Sequence, residues 1–319
     1  MSIEVLEPGL LTTVQDCGRH GYRHLGVGQS GVLDSFSAAV ANILVGNSPG
    51  SPLLEMTLRG PVVRFSVPAR IAICGAGIDV HCGDLVLPLW RRIDLAAGST
   101  LHFGACRSGA RAYLAVNGGF EVDPILGSTS TDLRAGFPGL AGRQLQAGDR
   151  VRLAHGIQPD CSEPRIARCW ANPSPELDFK QTALVHLLPG SDQLADADAL
   201  HSTPWTIGSA SNRQGLRLSG ASLQLRNPRE AISEPVMPGT VQLPADGNPI
   251  LLLADAQTHG GYARIGHAIR ADWPRLAQLR PGERMYFVPC STGQASRLWR
   301  RQQQGLARLA IAVSRADQA

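Results

Sequence analysis

The segment Thr12-Thr13-Val14-Gln15-Asp16-Cys17-Gly18-Arg19 places hydroxyls, an amide, a carboxylate and a guanidinium within eight residues. Ser30, Asp34 and Glu55 follow within the next stretch of chain. A guanidinium and backbone N–H groups bordered by glycine can grip a carboxylate or amide, while Asp or Glu moves a proton. The same residues would also serve an ordinary polar loop in which Asp16 and Arg19 pair and cap turns. A second group runs Leu126-Gly127-Ser128-Thr129-Ser130-Thr131-Asp132, where hydroxyls beside a carboxylate suit either a small anion or substrate pocket, or a set of turn caps. The third comprises Ser211-Asn212-Arg213 with Gly215, then Ser233-Glu234-Pro235, then Gln242-Leu243-Pro244-Ala245-Asp246, then Asp255-Ala256-Gln257-Thr258 followed by Gly260-Gly261-Tyr262. The apolar run Ile250 to Leu253 delivers this last polar set to a strand end, where sites are built on rigid β scaffolds.

The elements that must hold these groups read as mainly β. Ile3 to Glu7 alternates and stops at Pro8-Gly9, and short alternating or apolar runs continue from Leu53 to about Leu153, separated by turn residues. The chain has 35 Gly and 22 Pro, a profile suited to many strands joined by tight turns. A Leu-x-x-Gly unit leading into an alternating strand recurs at Leu95, Leu145 and Leu279, with Gly98, Gly148 and Gly282 expected in left-handed turn positions. Thr12 to Asp34 shows no periodicity and reads as one long loop, of a length that is uncommon without a function. Phe36, Ala39, Val40, Ile43 and Leu44 form a helical stripe that Asp34 or Ser35 can cap and Gly46-Asn47 can close. Ala271 to Leu279 predicts one or two helical turns, and the tail from Gly293 predicts an amphipathic helix broken or capped near Gly305. At 319 residues two domains are expected. The boundaries are 1–160 for an N-terminal β domain, 161–180 for a polar linker, 181–292 for a C-terminal β-barrel and 293–319 for the terminal helix.

Composition removes several function classes. Basic residues number 30 against 26 acidic, and all but Lys180 are Arg. They are scattered apart from Arg91-Arg92 and Arg297, Arg300 and Arg301, so no row of phosphates is matched and nucleic-acid binding is not expected. The seven cysteines contain no C-x-x-C, which argues for free thiols in a reducing compartment. No signal-peptide pattern and no 18-residue apolar stretch occurs, so a cytoplasmic protein with no membrane partner is expected. There is no G-x-x-x-x-G-K-[ST], and Lys180 has no glycine beside it, so neither a P-loop nor a lysine Schiff base is indicated. His20 and His24 have helical metal-ligand spacing, but Gly21 between them argues against a helix and no metal site is expected. Gly28-Gln29-Ser30-Gly31 approaches a nucleophile elbow without the preceding apolar strand. The absence of Met-Lys excludes covalent biotin on this chain.

At these clusters the sequence resembles the biotin-dependent carboxyltransferase / allophanate hydrolase subunit 2 family. The likeness is carried by Pro8 to Asp16 with Gly18-Arg19, Ser30-Gly31 and Asp34, Leu44-Val45-Gly46-Asn47, Leu54-Glu55, Ala112 to Val116 with Gly118-Gly119, Leu126-Gly127-Ser128 with Ser130-Thr131-Asp132, Arg213 with Gly215, and Gln257-Thr258 with Gly260-Gly261-Tyr262. It spans residues 3 to 290. The resemblance implies two cyclophilin-like β-barrel halves with a few short helices. It also implies one part of an ATP-dependent 5-oxoprolinase complex that opens 5-oxo-L-proline to L-glutamate, the C subunit working with a homologous B subunit and a larger A subunit. Other members transfer carboxyl groups from carboxybiotin to urea, or antagonise a kinase inhibitor without catalysis. On this resemblance Asp16, Arg19 and Arg213 are expected to be catalytic, and Thr13, Gln15, Ser30, Asp34, Glu55, Ser128, Ser130, Asp255, Gln257 and Thr258 to bind a small amide substrate. ATP would be used by the complex, biotin would come only on a separate carrier protein, and the chain alone would be inactive. Asn212 stands where the family tends to have Asp, Gly28 and Ala263 where it has Pro, and Gly266 where it has Ala, which puts a general base at 212 in doubt.

Overall fold

The structure, a computed structural model, describes residues 1–173, 177–179, 182–227 and 232–318. Lys180, the last residue of the expected linker, therefore lies outside the described residues. Contacts divide the chain into two units, one of Met1–Arg19, Asp34–Pro175 and Gln304–Ala319, the other of His20–Leu33 and Glu176–Gln303. Both are mainly β.

The first unit is built on a ten-stranded sheet whose centre is two long antiparallel strands, Ala69–Cys82 and Thr100–Val116. The separate short runs expected here merge, because their register breaks are absorbed as bulges between Gly75 and Val80. Gly75 has φ +103, and a Cβ there would collide with Arg111 O, so only glycine permits the bulge. Helix Ser35–Leu44 packs on both long strands, while Ala76 and Ala112 of those strands sit in the core cluster with Ile71, Ile73, Leu114 and Val116. Asp34 caps the helix, accepting from Ser37 N at 2.9 Å.

Leu11–Gln15 is a strand paired with Leu53–Thr57, which corrects the reading of a loop from Thr12. The polar run tolerates this burial because its hydroxyls find partners nearby; Thr12 Oγ1 donates to Pro8 O at 2.7 Å. Its pairing puts Thr13 opposite Glu55. Within the expected linker, Arg165–Trp170 forms a strand antiparallel to Arg91–Leu95.

The second unit contains a closed barrel in the order Ala183–Pro189, Ala263–Ala268, Thr240–Leu243, Ile250–Leu252, Gly215–Ser219, Trp205–Ile207 and Arg284–Pro289, the last pairing in parallel with the first. Closure removes the exposed edges that an open sheet would present. Trp205 is fully buried and donates Nε1 to Leu200 O at 3.0 Å. Leu33, at the end of the inserted segment 20–33, packs in the same core with Val185, Val241, Leu251 and Phe287. The recurrent turns behave as their sequence requires, with φ of 81°, 88° and 87° at Gly98, Gly148 and Gly282.

The terminal helix Thr292–Gln318 is unbroken at Gly305, contrary to the expected interruption. One glycine costs about 1 kcal/mol relative to alanine, too little to stop a helix of this length. No helix among the described residues is long and apolar enough to cross a membrane.

Two substitutions probe this architecture. Trp205→Ala should destabilise the second unit by about 3–5 kcal/mol in denaturant unfolding. Gly305→Ala, where an added Cβ meets nothing within 4 Å, should stabilise the chain by about 1 kcal/mol.

Candidate functional site

In the first unit Asp16 follows directly on strand Leu11–Gln15 and becomes a hub. Its Oδ1 accepts from Gly18 N at 2.8 Å, Ser128 Oγ at 2.6 Å and Ser130 Oγ at 2.5 Å. Its Oδ2 accepts from Thr129 N at 2.7 Å and Thr129 Oγ1 at 3.1 Å. Burial alone would raise the carboxyl's pKa, but the donors from Ser128, Ser130, Thr129 and Gly18 outweigh it and hold the pKa below the usual value. Five donors on one carboxylate leave no oxygen direction for taking a substrate proton. The hydroxyls of 128–130, read from sequence as an anion pocket or as turn caps, converge on this protein carboxylate.

Arg19 is fully buried, donates Nη2 to Ser130 O and lies 5.1 Å from the Phe137 ring centroid. Gln15 is also fully buried. Its Nε2 donates to Thr13 Oγ1 at 3.1 Å and Thr131 O at 3.0 Å, while Oε1 has no hydrogen-bond partner among the described residues. Glu55 accepts from Tyr113 Oη at 2.9 Å, and Tyr113 Oη in turn accepts from Asp34 N at 2.8 Å. Burial, with the charges of Glu55 and Asp34, pushes the Tyr113 hydroxyl well above its ordinary pKa, so it remains a proton donor. Asp34 Oδ2 takes Ser37 Oγ at 2.5 Å. Thus Thr13, Gln15, Asp16, Arg19, Asp34, Glu55, Ser128 and Ser130 all belong to this unit. Tyr113 was missed in the sequence because an aromatic inside an apolar strand carries no polar signal.

In the second unit Arg213 is 5% exposed and forms a two-point pair with Asp255, Nε to Oδ2 at 2.8 Å and Nη2 to Oδ1 at 3.1 Å. Nη2 also donates to Gly31 O at 2.6 Å, and Ser30 N donates to Ala254 O at 3.1 Å. These bonds hold Ser30 in a left-handed conformation, φ 54°, that serine rarely adopts. Ser30 is 2% exposed, and its Oγ has no hydrogen-bond partner among the described residues. A buried hydroxyl left unsatisfied in a strained residue is the kind of feature that clusters at ligand sites. Asn212 Oδ1 accepts from Gln214 N at 2.8 Å, a turn-capping role in place of a base.

Gln257 and Thr258 follow Asp255 at the same strand end. Thr258 Oγ1 lies 3.0 Å from His259 Nδ1. Gln257 O accepts from Arg23 Nη2 at 2.9 Å, and Gln257 Nε2 donates to Gln242 Oε1 at 3.5 Å. Arg23 was not singled out from sequence, whereas Gln242 was part of the third polar cluster. Gln242 is buried in strand Thr240–Leu243, where an inward amide demands a partner.

Asp16 and Ser30 give opposite tests. The depressed Asp16 pKa contributes stability that is present above the unfolded value of about 4 and is lost as pH falls through the lower folded value. Asp16→Asn should therefore cost about 2 kcal/mol at pH 7 in denaturant unfolding, with the gap from the parent narrowing below about pH 4. Ser30→Gly should instead stabilise the fold by about 1 kcal/mol, because glycine occupies positive φ without strain.

Comparison with known proteins matches this arrangement to a family. The sequence pattern of the carboxyltransferase domain, subdomain A and B, matches residues 25–289. The chain is 38% identical over 313 residues to the 5-oxoprolinase C subunit of Escherichia coli (strain K12), covering 97% of each chain. It is 35% identical over 305 residues to the protein of that name from Haemophilus influenzae, covering 94% of each. The crystal structure of the Kluyveromyces lactis urea carboxylase superposes with a TM-score of 0.89 at 29% identity, over 97% of this chain and 29% of that one. The chain belongs to the carboxyltransferase domain family, subdomains A and B.

Proposed function

We propose that the chain is the C subunit of an ATP-dependent 5-oxoprolinase, acting with a homologous B subunit and a larger A subunit to open 5-oxo-L-proline to L-glutamate in the cytoplasm. The observation that carries this reading is identity of 38% across 97% of both chains with the Escherichia coli protein, a match of whole length to whole length. ATP is used by the complex through its other polypeptides, since this sequence has no P-loop pattern. The chain is inactive alone.

The residues divide into holders and binders. Asp16 acts as a positioning residue, its charge fixing the turn that carries Cys17 to Arg19 and the 128–130 segment. Thr13, Ser128 and Ser130 have hydrogen bonds already made within that network and support it. Arg213 and Asp255 hold Gly31 and with it the strained Ser30. The group with unmatched hydrogen-bonding capacity in the second unit, Ser30 Oγ, is the one that meets substrate. A lactam offers a carbonyl oxygen, to which a hydroxyl can donate.

A second reading is a carboxyltransferase acting on urea, with biotin delivered by a separate protein. The superposition on the Kluyveromyces lactis urea carboxylase supports it. The two are separated by co-expressing the chain with the A and B subunits and measuring glutamate formed from 5-oxo-L-proline and ATP. The expected outcome is turnover by the complex, none by this chain alone, and a drop of about tenfold or more with Ser30→Gly despite its greater stability. Assembly without glutamate formation would overturn the oxoprolinase reading.

A further inference from the structure

Arg23 stands apart from the other partnered arginines of the second unit. Arg213 has Asp255, Arg264 has Glu234 and Arg275 has Asp272. Arg23 donates Nη2 to two neutral carbonyls, Val236 O at 2.7 Å and Gln257 O at 2.9 Å. Its Nη1 is enclosed and makes no hydrogen bond among the described residues. Burial lowers its pKa, with no carboxylate among the described residues to offset the loss of water. A guanidinium held this way is a cation without its anion.

A second unmatched donor lies one residue away through Gln257. Gln242 is 1% exposed, its Oε1 takes the Gln257 amide at 3.5 Å, and its Nε2 has no partner among the described residues. The position a Cβ would take at Gly260 is 2.7 Å from that nitrogen, so only glycine leaves this donor uncrowded. Gly260, which packs against Gln242, also lines a cavity of about 710 Å³ with Leu243, Tyr262, Arg264, Asp192 and Glu234, within the range of small-molecule sites. A carboxylate has the two acceptor oxygens that an arginine and a neighbouring amide lack here.

We propose that Arg23 and Gln242 form the subsite that takes the carboxylate of the substrate, selecting an anionic amide over a neutral one. This rests on the proposal of a small amide substrate. 5-Oxo-L-proline carries such a carboxylate, whereas urea has none. The subsite therefore discriminates between the two activities named among the chain's relatives.

The test is calorimetric titration of the assembled complex with 5-oxo-L-proline, with 2-pyrrolidone (the same ring without the carboxylate) and with succinate. Arg23→Gln keeps donors for Val236 O and Gln257 O but removes the charge. It should weaken 5-oxo-L-proline by about 10- to 100-fold and leave 2-pyrrolidone unchanged, with Arg23→Lys recovering part of the loss. Unchanged 5-oxo-L-proline affinity in Arg23→Gln, or equal loss of both lactams, would overturn the inference. If 5-oxo-L-proline does not bind but succinate does, and Arg23→Gln weakens succinate, the subsite stands while the oxoprolinase reading falls. If no carboxylate binds, both fall. Should Arg23→Gln fail to fold, Gln242→Glu supplies an internal carboxylate beside Gln257 and should produce the same selective loss; retention of 5-oxo-L-proline affinity there would overturn the inference.

Discussion

A carboxylate that accepts five hydrogen bonds cannot move without leaving several buried donors unmatched. Asp16 imposes this constraint on the first unit. Its donors come from residue 18 and from residues 128–130, far apart in the chain, so one side chain fixes the relation of two segments that sheet pairing does not join directly. Ser130 N is itself bonded to Ser128 Oγ, and Ser130 O receives Arg19, so the constraint passes on to a buried guanidinium. Leaving any one donor unsatisfied would cost on the order of 1–3 kcal/mol, which is why the arrangement is held as a whole.

The second unit uses the same physics with opposite charge at the centre. Arg213 joins Asp255, at the end of one barrel strand, to the carbonyl of Gly31 in the inserted segment 20–33. The pair is hydrogen-bonded at two points, as a buried ion pair must be to offset its desolvation. What it secures is local strain: Ser30 at positive φ, with its hydroxyl unmatched. Rigid strands supply the anchor and the inserted loop carries the strained residue, a division common to β scaffolds.

Two kinds of polar group thus become distinguishable. Asp16, Ser128, Ser130, Arg213 and Asp255 are engaged with other protein groups. Gln15 Oε1, Ser30 Oγ, Arg23 Nη1 and Gln242 Nε2 are buried without partners among the described residues. Residue type does not separate these sets, since serines and arginines fall on both sides. Only the count of satisfied donors and acceptors does.

Much of the architecture was legible in the residues themselves. Turn glycines at 98, 148 and 282, the helix at Ser35–Leu44 with its Asp34 cap, and the β-rich halves follow from steric freedom and periodicity, which are local properties. The polar clusters were legible as well, because such residue types rarely gather without a reason. Tertiary structure decided the rest. Thr12 to Gln15 became a strand because a partner, Leu53–Thr57, was available and its buried hydroxyls and amide found acceptors, facts that no window of sequence contains. Gly305 remained inside a helix because a single unfavourable residue is outweighed by its neighbours. The roles of Asp16, Arg23 and Gln242 rest on hydrogen bonds to residues distant in the chain, and whether a polar atom is satisfied exists only once the chain has folded.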